Sequence, residues 1–168
     1  MEEKEIKKML IPKIHRWNKA LDEERKEIEI KLDTLVQEYK EVGIGTNDIQ
    51  TLERIKKEIS GYLHYYVKFM SIARSHFEGT NYLESSRKWL KSYCISYLVE
   101  NEEGLTSAAA NRIVYDSDLY TIGMEIINSM KALFLNIDYK FNRYRAVERN
   151  IQQTISIVGK EMGITHNN

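Results

Sequence analysis

Apolar residues recur along this chain at steps of three and four, the period of one helix face, over nearly its whole length. The last third carries the longest stripe: Leu119, Ile122, Ile126, Met130, Leu133, Ile137, Phe141, Tyr144, Val147, Ile151, Ile155, Val158 and Met162. At 1.5 Å per residue it predicts a helix of about 60 Å. Such a stripe must be covered, within the chain or by another copy, so a homo-oligomer is expected. Upstream, Leu10, Ile14, Trp17, Leu21, Ile28, Leu32, Leu35, Tyr39 and Val42 form a heptad-like seam with a polar gap near Glu24. Pro12 is read as its first-turn residue, where a missing N–H costs nothing. Asp22, Glu23, Lys26, Glu27, Glu29, Lys31 and Asp33 fall between the seam positions and are assigned to a solvated face.

Gly43-Ile44-Gly45-Thr46-Asn47-Asp48 reads as a turn, with Asn47 or Asp48 as the next N-cap. Ile49, Leu52, Ile55, Ile59, Leu63, Tyr66, Met70, Ala73 and Phe77 then mark a helix that stops near Gly79. A third helix is expected to start at Asn81, which has capping-box spacing to Glu84. It carries Leu83, Leu90, Tyr93, Cys94, Tyr97 and Leu98 and ends before Gly104. A short helix from Ser107 to about Val114 follows, and Asp116 or Ser117 caps the last one. The predicted helices cover 12–42, 48–78, 82–99 and 117–161. The fold class is all-α, an elongated bundle of coiled-coil-like hairpins with one long C-terminal helix. It is read as one helical domain over 1–168: a first long helix at 12–42, central helices within 48–99, and a short helix plus the long one within 105–162.

Composition supports this. One proline and eight glycines among 168 residues are too few to punctuate a many-turned β fold. Lys and Arg total 25, as do Asp and Glu, so any electrostatic partner must be met by a local patch. A single cysteine, Cys94, excludes an internal disulfide and a thiolate zinc site. No apolar run nears the roughly 20 residues that span a bilayer. MEEKEIKK lacks the apolar centre of a signal peptide. A soluble, cytoplasmic protein with no membrane association is expected.

Candidate chemistry is sparse. His15, His64, His76 and His166 form no HExxH and no Glu-x-x-His pair, so neither a metal site nor another cofactor is expected. Phosphate-cradling glycine loops and the serine elbow are missing. Cys94 lies on an apolar face among Tyr93, Ile95 and Tyr97, the setting of a structural thiol. No catalytic residue is assigned.

Two basic-aromatic clusters remain. From Lys131 to Arg149 five basic residues (131, 140, 143, 145, 149) stand against Asp138 and Glu148, interleaved with Tyr139, Phe141 and Tyr144. The second cluster is Arg87, Lys88 and Lys91 around Trp89, near Tyr82 and Tyr93. Cations beside aromatic faces suit sequence-tolerant binding of single strands through phosphate contact and base stacking. The candidate nucleic-acid contacts are therefore Lys140, Arg143, Arg145 and Arg149, with Arg87, Lys88 and Lys91 as a second set. The competing reading makes these arginines seam-flanking partners of acidic residues.

Residues 104–120, Gly-Leu-Thr-Ser-Ala-Ala-Ala-Asn-Arg-Ile-Val-Tyr-Asp-Ser-Asp-Leu-Tyr, give a short Ala-rich helix, an acidic cap and the start of a long helix. With the aromatic-basic stretch Tyr139–Arg149 and the closing Ile-Gln-Gln-Thr-Ile-Ser-Ile, this layout resembles small phage proteins related to the UvsY recombination mediators of T-even-type phages. The resemblance covers 104–158 and, more loosely, 11–42 through Ile11-Pro12-Lys13-Ile14-His15-Arg16-Trp17 and Glu23-Glu24-Arg25. It implies a phage-encoded, non-enzymatic homo-oligomer. Such a protein binds single-stranded DNA and helps load a recombinase onto strands covered by a single-strand-binding protein. The alternative is an oligomeric structural or adaptor protein, such as a virion or assembly component, that binds no nucleic acid. A third reading is a small DNA-packaging or regulatory protein with 106–120 as a degenerate helix-turn-helix, which lacks the glycine turn between two equal helices.

Overall fold

Helices make up every regular element among the described residues, 2–42, 48–74 and 82–163 of a computed structural model. They are α1 (Glu3–Ile14), α2 (Lys19–Val42), α3 (Ile49–Arg74), α4 (Tyr82–Asn101), α5 (Ser107–Ile113) and α6 (Asp118–Glu161), with a 3-10 turn at Val114–Asp116. The all-α class and the long C-terminal helix are as the periodicity predicts. The expected turn at 43–47, the stop near Gly79 and the cap at Asn81 lie outside the described residues.

One boundary differs. The helix read as 12–42 is two helices, and Pro12 stands near the end of α1 rather than opening a helix. Near a helix end the missing N–H removes one bond only, and the chain leaves the helix at His15, which is extended (φ −156°, ψ 160°). Asn18 then restarts it: its Oδ1 accepts from the Leu21 N–H at 2.9 Å and its carbonyl from Asp22 at 3.1 Å. Helix starts elsewhere follow the same chemistry. Asp48 accepts from the Thr51 N–H at 3.0 Å, Thr106 from Ala109 at 3.3 Å and Ser117 from Tyr120 at 3.3 Å. After α4 the backbone turns at Gly104 with φ +79°, a left-handed conformation that favours glycine.

The chain forms two compact units. The first comprises Met1–Trp17 and Ser71–Leu135, the second Asn18–Met70 and Asn136–Asn168. In the first, Ile6, Leu10 and Ile14 of α1 join Leu90 and Cys94 of α4, Val114, and Leu119, Ile122, Ile126 and Ile127 of α6 in one core. Helices α4 and α6 approach closely there, since a Cβ on Gly123 would lie 2.5 Å from Leu90 Cδ1. In the second, Leu32, Leu35 and Val36 of α2, Leu52, Ile55, Ile59, Leu63, Tyr66 and Phe69 of α3, and Ile137, Tyr144, Ile151, Ile155 and Val158 of α6 are buried. The upstream seam thus serves two cores, with Leu10 and Ile14 in one and Leu32 and Leu35 in the other. The α6 stripe from Leu119 to Val158 is buried or half-buried throughout, and Met162 past its end is exposed.

Candidate nucleic-acid interface

The second unit holds a polar group that the periodicity did not reveal. Arg25 and Glu29, one turn apart on α2, are 7% and 5% exposed, in line with Leu32 and Val36. The seam spacing puts Glu29 on the solvated face; the structure places it inside. Its carboxylate accepts from Arg25 Nη1, from the Tyr66 hydroxyl of α3 at 2.6 Å and from Lys140 Nζ of α6. Arg25 also bonds Asp22 at 2.9 Å, while its Nε finds no hydrogen-bond partner among the described residues. Burial pushes the Glu29 carboxyl upward, but the bonds from Lys140 and Tyr66 and the charges of Arg25 and Lys140 outweigh it and hold it below the usual range. Burial and the Glu29 bond push the Tyr66 phenol upward. The available signal was the 25–29–32–36 spacing, a helix face occupied by two charges and two aliphatics.

Aromatic packing sets how α6 lies on its neighbours within this unit. The Tyr66 ring stacks parallel to Phe141 at 6.4 Å and meets Tyr144 edge-on at 6.2 Å. The Tyr144 hydroxyl donates to Asp33 of α2 at 3.1 Å. With these rings fixed, the four candidate cations of α6 fall on two sides. Lys140 and Arg143 face α2, where Lys140 pairs with Glu29 and Arg143 Nη2 lies 3.4 Å from Asp33. Both therefore fit the seam-pairing reading. Arg145 and Arg149 are exposed, and neither has an ion-pair partner among the described residues. The Arg145 guanidinium rests over Phe141 at 5.6 Å, and Arg149 Nε donates to the Arg145 carbonyl at 3.4 Å. Tyr139 on the same helix is 68% exposed.

The second candidate set lies in the first unit. Arg87 and Lys88 are exposed, and Lys88 pairs with Glu84 at 2.7 Å. Lys91 sits over the Tyr115 ring at 4.9 Å. Trp89 and Tyr93 stack at 5.3 Å, with Lys13 over Tyr93 at 5.2 Å. The sets that the sequence named together thus belong to different units. Cys94 is fully buried, and desolvation pushes its thiol up to about 12. Among the described residues no three His, Cys, Asp or Glu side chains gather as a metal site would need, and no helix is long and apolar enough to cross a membrane.

Fold and surface together define an all-helical chain whose second unit carries an exposed pair of arginines on its longest helix. No protein-family model, no curated protein and no solved structure matches the chain.

Proposed function

We propose that this protein is a non-enzymatic binder of single-stranded DNA, acting as a self-associating recombination mediator that helps load a recombinase. The observation that carries the reading is the division of charge on α6. Lys140 and Arg143 are held by carboxylates, whereas Arg145 and Arg149, one turn apart, keep their charge facing outward. Exposed guanidiniums with no acidic partner among the described residues suit phosphate, and the exposed Tyr139 ring on the same helix offers a face for a base. The resemblance of residues 104–158 to the UvsY-related mediators supports the recombination role. Under this reading the protein is phage-encoded and works in the host cytoplasm beside a single-strand-binding protein.

Fluorescence anisotropy with a labelled oligo-dT over a salt series tests it. Wild type should bind, with affinity that falls as salt rises. Arg145→Ala with Arg149→Ala should flatten the log–log slope by about 1.4, roughly 0.7 per lost phosphate contact. Helicity should stay unchanged in that variant. Wild-type protein that shows no salt-sensitive binding at low salt would leave the adaptor reading in its place. That reading is favoured by the pairing of Lys140 and Arg143 with acidic residues of α2. Light scattering at micromolar concentration tests the self-association, and a monomer mass would remove it.

A further inference from the structure

The two sides of α6 within the second unit differ in what faces them. Toward α2, basic residues meet carboxylates: Lys140 meets Glu29 and Arg143 meets Asp33. Toward α3 the cross-helix partners are of another kind. Lys56 Nζ donates to the Gln152 side-chain Oε1, and the Ser60 hydroxyl donates to the Glu148 carboxylate. Each pair advances by four residues on both helices, in opposite directions, so α3 and α6 run antiparallel in fixed register along this edge. Arg145 and Arg149 flank Glu148 in the same two turns.

Charge along this edge therefore does not cancel. Lys56 is bonded to a neutral amide, and among the described residues neither it nor Arg145 nor Arg149 has an ion-pair partner. The acidic residue between them, Glu148, is half-buried and bonded to Ser60. Glu53, one turn from Lys56 on α3, is a further exposed acidic residue, and the exposed Lys57 offsets its charge. Cations from two helices along one edge track a phosphate backbone better than one helix face does, because successive phosphates meet charge from both helices.

We infer that a single nucleic-acid strand runs along the α3–α6 edge of the second unit, with Lys56 of α3 contacting phosphate alongside Arg145 and Arg149 of α6. This rests on the single-strand reading above and adds a second helix, and a residue outside both sequence clusters, to the contact surface.

Two variants approach the edge from its two helices. Lys56→Gln keeps a hydrogen-bonding side chain of similar reach but no charge. Gln152→Glu places a carboxylate against Lys56 and makes this edge resemble the α2 side. In anisotropy titrations with labelled oligo-dT, each should weaken binding and flatten the log–log salt slope by about 0.7, the change expected for one lost phosphate contact. Lys26→Gln is the control, because Lys26 lies on α2 and pairs with Asp22 at 2.6 Å. It should leave the slope unchanged. Unaltered slopes for both Lys56→Gln and Gln152→Glu, with wild type still binding, would overturn the inference alone. A slope lowered equally by Lys26→Gln would do the same, by showing that charge counts without regard to place. Displacement of the strand by polyglutamate at matched charge would assign the edge to an acidic polypeptide and overturn it as well. Wild-type protein that does not bind the strand would remove the single-strand reading and this inference with it.

Discussion

Tyr66 donates its hydroxyl hydrogen to Glu29 Oε1 at 2.6 Å, joining α3 to a carboxylate that α2 carries into the interior and that Lys140 of α6 also grips. One anion thereby binds three helices of the second unit. A buried ion pair adds little over a well-packed apolar pair, but removing one partner strands the other charge. What the group fixes is the rotation of α2 and α6 about their axes, since only one setting brings Arg25, Tyr66 and Lys140 onto the same carboxylate.

Glu29→Gln should therefore cost about 3–5 kcal/mol at neutral pH, because Lys140 loses its countercharge and the buried Arg25 keeps only Asp22. Folding holds the Glu29 carboxyl below its ordinary value of 4.5. Its contribution is complete above that ordinary value and disappears as pH falls through the lower folded value. Urea melts of wild type between neutral pH and pH 3 should show this loss, and Glu29→Gln should show a shallower one. Equal acid sensitivity of the two proteins would refute the linkage.

Two helical glycines should respond to alanine in opposite ways. Gly61 of α3 has no heavy atom within 4 Å of its would-be Cβ, so Gly61→Ala should gain about 0.5–1 kcal/mol from helix propensity. At Gly123 the new methyl would meet Leu90 Cδ1 at 2.5 Å and Cδ2 at 2.7 Å, and Leu90 is fully buried. Gly123→Ala should cost about 1–3 kcal/mol of packing strain, exceeding the propensity gain. A Gly123→Ala variant that melted higher than wild type would show that α4 and α6 are not in close contact, and a Gly61→Ala variant that melted lower would refute the open site on α3.

Cys94 should be inert in the native protein. Its thiol is buried and raised to about 12, so almost no thiolate exists at neutral pH. A chromogenic disulfide reagent should give no rapid signal until denaturant is added, and then one equivalent per chain. Fast native-state labelling would place Cys94 at the surface.

Helix class, the long α6 stripe and most helix limits were legible in the sequence, because they depend on local spacing and on scarce breakers. Leu119 through Val158 could be listed without knowing what covers them. The break at 15–18 was less visible, since Pro12 suits a helix start as well as a position near an end, and Asn18 stands amid residues that favour helix. The pairing of the charges lay beyond local reading. The 25–29–32–36 spacing puts Glu29 on an apolar face, but its partner Lys140 is 111 residues away. Likewise Lys140, Arg143, Arg145 and Arg149 form one basic run in the sequence. Which of them meets a carboxylate of α2, and which faces solvent with its charge intact, is set by the rotation of α6 against two other helices. That rotation is fixed in three dimensions by the packing of Tyr66, Phe141 and Tyr144 together with the bonds to Glu29, because a charge takes its role from the groups that reach it through space.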